Sequence, residues 1–296
     1  MHIAEKCNGE IVNCDSLQVY RYFDIGTAKL PESERRGIPH HLIDIIDPDA
    51  LFTAGEYARV ARETVREISD RGRLPVVAGG TGFYLRALLD GLFTGPTRDQ
   101  PLRDRLAGRE SKRPGCLHRL LSRLDPPSAR AIHPNDVPKV TRALEVCLLT
   151  RQPVSQLYRQ GRDALVGYRT LKLGLLPDRD TLYQRLDERC ARMFANGLVE
   201  EVRRILAMGF APSLKPFESH GYKQALQLVQ GELGPRDAIF YAQRGTRQYA
   251  KRQITWFRRE PGLVWLRGFG DSPEIQQEAL ALVSAFHENS HNQALL

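Results

Sequence analysis

Three stretches of the sequence carry side chains able to do chemistry. Glu10-Ile11-Val12-Asn13-Cys14-Asp15 reads as a short strand that ends in an acid. This puts the Asp15 carboxylate at the carboxyl end of a strand, where open α/β sheets place ligands. The other reading is local: with Ser16, Asp15 caps the segment that follows. Leu74 to Gly80 is a second apolar run, and it leads into Gly79-Gly80-Thr81-Gly82. Glycines let backbone approach a ligand closely, and the Thr81 hydroxyl with nearby N–H groups could hydrogen-bond a phosphate oxygen. The alternative is a plain strand-to-helix turn, because Tyr84, Leu85, Leu88 and Leu89 make an apolar helix face behind it. The third stretch, Ala238 to Arg259, holds six basic residues and no acid. At helical spacing Arg244, Arg247, Lys251 and Arg258 share a face, flanked by Arg252 and Arg259, while Ile239, Ala242, Ala250 and Phe257 fall opposite. A one-sided basic stripe suits a phosphate backbone. A charge run is otherwise a solvated face, although such a face usually mixes signs.

The elements that position these residues follow from the pattern of apolar runs. Strands are expected at 10–15, 41–46, 74–80, 171–176 and 263–266, with little polar alternation, as a parallel sheet covered on both faces requires. Thr53-Ala54-Gly55-Glu56 is a capping box. Tyr57, Val60, Ala61, Thr64, Val65 and Ile68 follow it at helical spacing, and Gly72 sits where that helix should stop. Alternating strands and helices imply an α/β fold. From 95 to 169 no buried strand stands out and prolines punctuate short helical patterns, one of them Val137 to Leu149. The expected organisation is an α/β core at 1–94, a helical insertion at 95–169, and the rest of the core at 170–296. Residues 288–296 are expected to fray.

Composition narrows the function classes. Net charge is +8 and the pI is about 9.4, which suits an anionic partner. Five scattered cysteines with no CxxC pair argue against a disulfide framework and a structural zinc site, and for a reducing cytoplasm. No apolar run is long enough to cross a bilayer, so no membrane partner is expected. Residues 3–9 look like the end of a helix stopping at Asn8-Gly9, with a strand and glycine-rich turn expected upstream.

Several blocks, taken together, are specific. Asp15-Ser16-Leu17-Gln18-Val19-Tyr20-Arg21 with Asp24-Ile25-Gly26-Thr27-Ala28-Lys29, then Pro39-His40-His41-Leu42-Ile43-Asp44, Gly79-Gly80-Thr81-Gly82-Phe83-Tyr84, Arg142-Ala143-Leu144-Glu145-Val146 and Lys251 to Arg258 occur in that order. In this the chain resembles the tRNA dimethylallyltransferase family. The resemblance implies an α/β fold with a P-loop-NTPase-like parallel sheet, helices on both faces, and an inserted, mostly helical domain that grips tRNA. It implies transfer of a dimethylallyl group from dimethylallyl diphosphate to the N6 amine of the adenine beside the tRNA anticodon. Asp15 would orient that amine and take its proton, and Thr81 would stabilise the transition state. Contacts to the tRNA anticodon stem-loop would come from Asp15, Ser16, Leu17, Gln18, Thr81, Arg103, Lys139, Arg142, Lys223, Arg244, Arg247, Lys251, Arg252, Gln253 and Arg258. Arg179, Arg185 and Arg189 are candidates for the diphosphate, or else solvated helix arginines. The resemblance also implies Mg²⁺, a monomer and a cytoplasmic location.

Two departures stand out. No G-x-x-x-x-G-K-[ST] run occurs in the sequence: neither Gly26-Thr27-Ala28-Lys29 nor Gly79-Gly80-Thr81-Gly82 fits. The family's metal ligand belongs to that missing loop, so no residue here is assigned to a metal. A misplaced start codon is the expected reason; a relative without diphosphate binding is the other. Second, Val137-Pro138-Lys139 stands where the family is arginine-rich, and lysine lacks the bidentate fork. Competing readings are a catalytically inactive tRNA-binding paralogue and a P-loop small-molecule kinase.

Overall fold

The computed structural model describes residues 1–93, 95–159 and 161–293, with side chains through Glu288. It divides into two compact units, Met1–Leu88 with Gly167–Leu296, and Leu89–Val166. The second unit begins and ends a few residues before the expected 95 and 169. The Leu165 N–H donates to the Leu89 carbonyl at 2.9 Å, which ties both ends of that segment together.

The first unit opens with α1 (His2–Lys6), which stops at Asn8 in the left-handed region, φ 50°. β1 (Gly9–Asn13) follows and is buried at every position. β2 (His40–His41), α2 (Ala54–Asp70), β3 (Leu74–Ala78) and α3 (Gly82–Leu89) complete this half. The expected strand at 41–46 is only two residues long. Leu42 (φ 62°) and Asp44 (φ 56°) both turn left-handed and lift the chain off the sheet. It returns as a single bridge between Tyr20 and Ile46. α2 carries the full capping box, with Thr53 Oγ1 accepting from the Glu56 N–H and Glu56 returning to the Thr53 N–H. Its apolar stripe, Tyr57, Ala61, Val65 and Ile68, is buried. α1 covers the sheet face bearing Ile11 and Val76, through Ala4.

After the second unit the chain returns as β4 (Lys172–Leu175), α9 (Arg179–Ala195), α10 (Leu198–Ala207), α11 (Tyr222–Val229), α12 (Pro235–Phe257), β5 (Leu263–Leu266) and α13 (Pro273–Gln293). Every ladder is parallel, but the strands form two sheets, β2-β1-β3 and β4-β5, not one. Among the described residues β3 is paired on one side only, and it is half-buried where β1 is fully buried. α13 is helical to Gln293, against the frayed tail expected from 288; residues 294–296 lie outside the described ones.

The second unit is helical: α4 (Gln100–Lys112), α5 (Cys116–Leu124), α6 (Pro126–Ala131), α7 (Val137–Thr150) and α8 (Val154–Arg159). Leu106, Leu117, Leu121, Val140, Leu144 and Val146 form its core. Asp99, Asp125 and Asp136 cap α4, α6 and α7, each one or two residues ahead of a first-turn proline that needs no donor.

Candidate active site

β1 and β3 run in register to Asn13↔Ala78, so the chain leaves both strands side by side. Cys14 N–H donates to the Ala78 carbonyl at 2.8 Å, and Thr81 N–H donates back to the Cys14 carbonyl at 3.1 Å. Ser16 N–H then donates to Thr81 Oγ1 at 3.0 Å. Asp15 and Thr81, 66 positions apart, therefore share one strand-end turn. Asn13 fixes it from beneath: its Oδ1 accepts from Asp15 N–H at 3.1 Å and its amide donates to the Leu42 carbonyl at 3.0 Å.

The Asp15 carboxylate accepts from the Leu17 N–H at 2.8 Å, so the local capping role is present. The charge is nevertheless under-compensated. Burial pushes the Asp15 pKa up, against the backbone N–H groups of Leu17 and Gln18 and the nearby Arg189 charge. A carboxylate with a raised pKa that still has a charge partner is a candidate base.

The glycine-rich turn packs against α12. A Cβ at Gly80 would lie 2.1 Å from Gln253 Nε2, which donates to the Gly80 carbonyl at 2.9 Å. Gly82 likewise leaves room for the Trp256 indole. These glycines serve close packing within the protein, where the sequence suggested approach to a ligand. Tyr249, one helical turn before Gln253, was not singled out by the sequence. Burial raises the Tyr249 pKa, the Asp15 charge adding to this and the neighbouring Gln253 and Thr81 side chains opposing it. The i, i+4 relation to Gln253 was the available signal. Its ring lies 6.1 Å from His220, whose Nε2 is 3.2 Å from an Arg252 nitrogen. Burial and the charges of Arg252 and Lys223 lower the His220 pKa, so His220 accepts.

The three arginine candidates separate. Arg185 is tied to Asp271 at 2.8 Å and lies over the Phe269 ring. Arg179 lies over Tyr183. Of the three, Arg189 is the one whose charge reaches Asp15. The basic face of α12 also divides. Arg247 turns inward to Asp187 of α9 at 2.5 Å, so it does not belong to an open stripe. Arg244, Lys251, Arg258 and Arg259 are exposed with no acidic partner among the described residues. A cavity of about 320 Å³ is lined by Arg86, Lys251, Arg252, Thr255, Trp256 and Arg259. Lys223, at the start of α11, is exposed.

In the helical unit, Arg103 and Arg142 converge on Glu145. Arg103 grips it with two bonds of 2.8 Å and Arg142 with one of 2.6 Å. Burial alone would raise the Glu145 pKa, but both guanidiniums and the Asp99 N–H bring it down to about 2. Lys139 pairs with Asp136 at 2.5 Å. Among the described residues no three His, Cys, Asp or Glu side chains gather as a metal site.

A family model described as IPP transferase matches residues 18–260. The chain belongs to the IPP transferase family. It is 75% identical over 284 residues to the tRNA dimethylallyltransferase of Solibacter usitatus, covering 96% of this chain and 92% of that one. The crystal structure of a tRNA isopentenylpyrophosphate transferase from Bacillus halodurans matches with a TM-score of 0.71 and 34% identity, over 99% of this chain and 93% of that chain. A eukaryotic dimethylallyltransferase acting on tRNA matches with a TM-score of 0.83 and 30% identity, over 97% of this chain and 75% of that chain. The IPP transferase match spans Thr81, Arg189 and the α12 block, and begins three residues after Asp15.

Proposed function

We propose that this chain transfers a dimethylallyl group from dimethylallyl diphosphate to the N6 amine of the adenine beside the tRNA anticodon. The observation that carries this reading is the joined turn of Asp15 and Thr81 at the ends of two parallel strands. The amine nitrogen attacks the first carbon of the donor as the bond from that carbon to the diphosphate oxygen breaks. The amine is a poor nucleophile because its lone pair is delocalised, so a base that takes the proton as the new bond forms lowers the barrier. Asp15 does this. Thr81 donates to the departing diphosphate, and the Arg189 charge offsets its growing negative charge.

Mg²⁺ bound with the diphosphate would supply further charge neutralisation. The described residues form no ligand set for it, and no step above passes through it. Within residues 1–296 no G-x-x-x-x-G-K-[ST] loop takes part. The adenine is flipped out of the anticodon loop to reach Asp15. Ser16, Leu17 and Gln18 line its path. Lys223, Arg244, Lys251, Arg252, Gln253 and Arg258 meet the RNA, with Arg103, Lys139 and Arg142 on the helical unit. Arg247 instead holds α12 to α9. The protein works as a cytoplasmic monomer; among the described residues no helix is long and apolar enough to cross a membrane.

The test is incubation with unmodified tRNA, dimethylallyl diphosphate and Mg²⁺, followed by mass spectrometry of the nucleosides. N6-isopentenyladenosine is expected, and its loss on Asp15→Ala with tRNA binding retained. Binding without transfer by the unaltered chain would overturn the catalytic reading. ATP-dependent phosphotransfer would replace it with a kinase.

A further inference from the structure

Glu201 on α10 is almost fully buried, at 2% exposure, and no cation pairs with it among the described residues. Its carboxylate instead accepts from backbone and a phenol. Ile25 N–H donates to both oxygens, at 3.2 and 3.0 Å. The Tyr222 hydroxyl of α11 donates to Oε1 through a short bond. That same hydroxyl oxygen accepts from the Gly26 N–H at 3.1 Å. Gly26 is glycine for a steric reason: a Cβ there would sit 2.4 Å from the Tyr222 ring. Phe23, itself fully buried, packs on Tyr222 and on Phe217 at 4.8 and 5.1 Å between ring centres. Two side chains more than 170 positions downstream thus hold the turn at 24–27 by its backbone.

That turn ends in a contact to the base-reading residue. Gln18 donates from Nε2 to the Thr27 carbonyl at 3.0 Å. A carbonyl can only accept, so the amide nitrogen must point to it; this fixes which way the carboxamide faces and leaves Oε1, with the second N–H, for a ligand. An oxygen so presented accepts from the amine of an adenine edge and is repelled by a carbonyl in the same place. We propose that Glu201 and Tyr222 are positioning residues for base recognition: by clamping the turn at 24–27 they fix Thr27, and through it the orientation of the Gln18 carboxamide. This rests on the reading of Gln18 as a contact to the target base.

The clamp differs from ordinary core packing in what it predicts. A group that acts only through Gln18 affects the affinity for tRNA, and loses its effect once Gln18 is gone. Steady-state kinetics on the full chain, with an anticodon stem-loop and dimethylallyl diphosphate varied separately, reads both. Gln18→Ala, Glu201→Ala and Tyr222→Phe should each raise the KM for RNA by about tenfold, leaving kcat and the KM for the donor within about twofold. Glu201→Gln keeps an oxygen for the Ile25 N–H and should recover most of the affinity. In the Gln18→Ala background, Glu201→Ala should add less than about twofold. Multiplied losses in the double variant, or a kcat that falls with the RNA affinity, overturn the clamp and make Glu201 a general structural residue. An unchanged KM in Gln18→Ala instead overturns the reading of Gln18, and the proposal with it. Should Glu201→Ala fail to fold by circular dichroism, Tyr222→Phe, which removes a single oxygen, completes the same cycle.

Discussion

Two carboxylates, Asp15 at the strand ends and Glu145 in the helical unit, have the same chemistry and opposite surroundings. Glu145 is fully buried, yet two guanidiniums and a backbone N–H hold its pKa down to about 2. Asp15 is held by backbone N–H groups with only the nearby charge of Arg189, and its pKa is raised. A carboxylate whose charge is fully paired is a strut, because removing either partner strands the other in a dry interior. One whose charge is left under-compensated is ready to take a proton. The difference lies in the donors each residue meets, and the sequence places an arginine in plausible reach of both.

The largest expected effect tests the first half of this contrast. Asp15→Ala should lower kcat/KM by about 10²–10⁴-fold, the usual range for a positioned acid or base, while RNA affinity stays. The base must be ionised, and its pKa is raised from 3.8. Activity should therefore fall on the acid side through a limb lying above that value, and a pH–rate profile will show it. A limb at or below 3.8 would place the titration elsewhere.

Next in size is the strut. Glu145→Gln leaves the partly exposed Arg103 and Arg142 facing a neutral amide, and should cost about 1–3 kcal/mol of stability. The contribution of a carboxylate with a lowered pKa is present above its ordinary value of 4.5 and is lost as pH falls toward about 2. The penalty measured by thermal unfolding should thus shrink with acid. A penalty independent of pH would point to packing alone.

A smaller effect separates the surface charges from both. Lys251→Ala with Arg258→Ala should weaken tRNA binding and reduce the slope of log K against log salt by about 1.5, the share of two phosphate contacts. Arg247→Ala should leave that slope unchanged, because Arg247 is spent on Asp187. Equal slopes for the two sets would restore the single open stripe.

The sequence made the strands and their order of contribution legible, because near-continuous apolar runs such as Ile11-Val12 and Val76-Val77 belong to parallel sheets. It also placed Asp15 and Thr81 at strand ends. Chain direction set by backbone alone is not legible: nothing in the types of Leu42 and Asp44 announces a positive φ, so the apolar pattern at 41–46 predicts a longer strand than the fold contains. Long-range pairing was equally hidden. Arg247 looks free in the sequence because its partner sits 60 positions away, and the joint hold of Arg103 and Arg142 on Glu145 is hidden because Glu145 reads as part of a motif instead of an anchor. Tyr249 is hidden for the same reason: Thr81 and Asp15, the groups that perturb it, come from distant strand ends.

The smallest effect sharpens the contrast most, since it asks one kind of substitution to act with opposite signs in two places. Asp15→Asn keeps an oxygen for the Leu17 N–H and removes the charge. The folded pKa of Asp15 is raised, so its contribution to stability is present below 3.8 and is lost as pH rises through the folded value. At neutral pH the ionised group is therefore a cost that asparagine relieves. Asp15→Asn should raise the thermal midpoint slightly at neutral pH, by less than about 1 kcal/mol in stability, and the gain should vanish below 3.8. Glu145→Gln lowers the midpoint over the same range. A lower midpoint for Asp15→Asn at neutral pH would mean that its charge stabilises the turn. Asp15 would then be a cap like those on the helical unit, and the activity of the strand-end turn would have to come from another group.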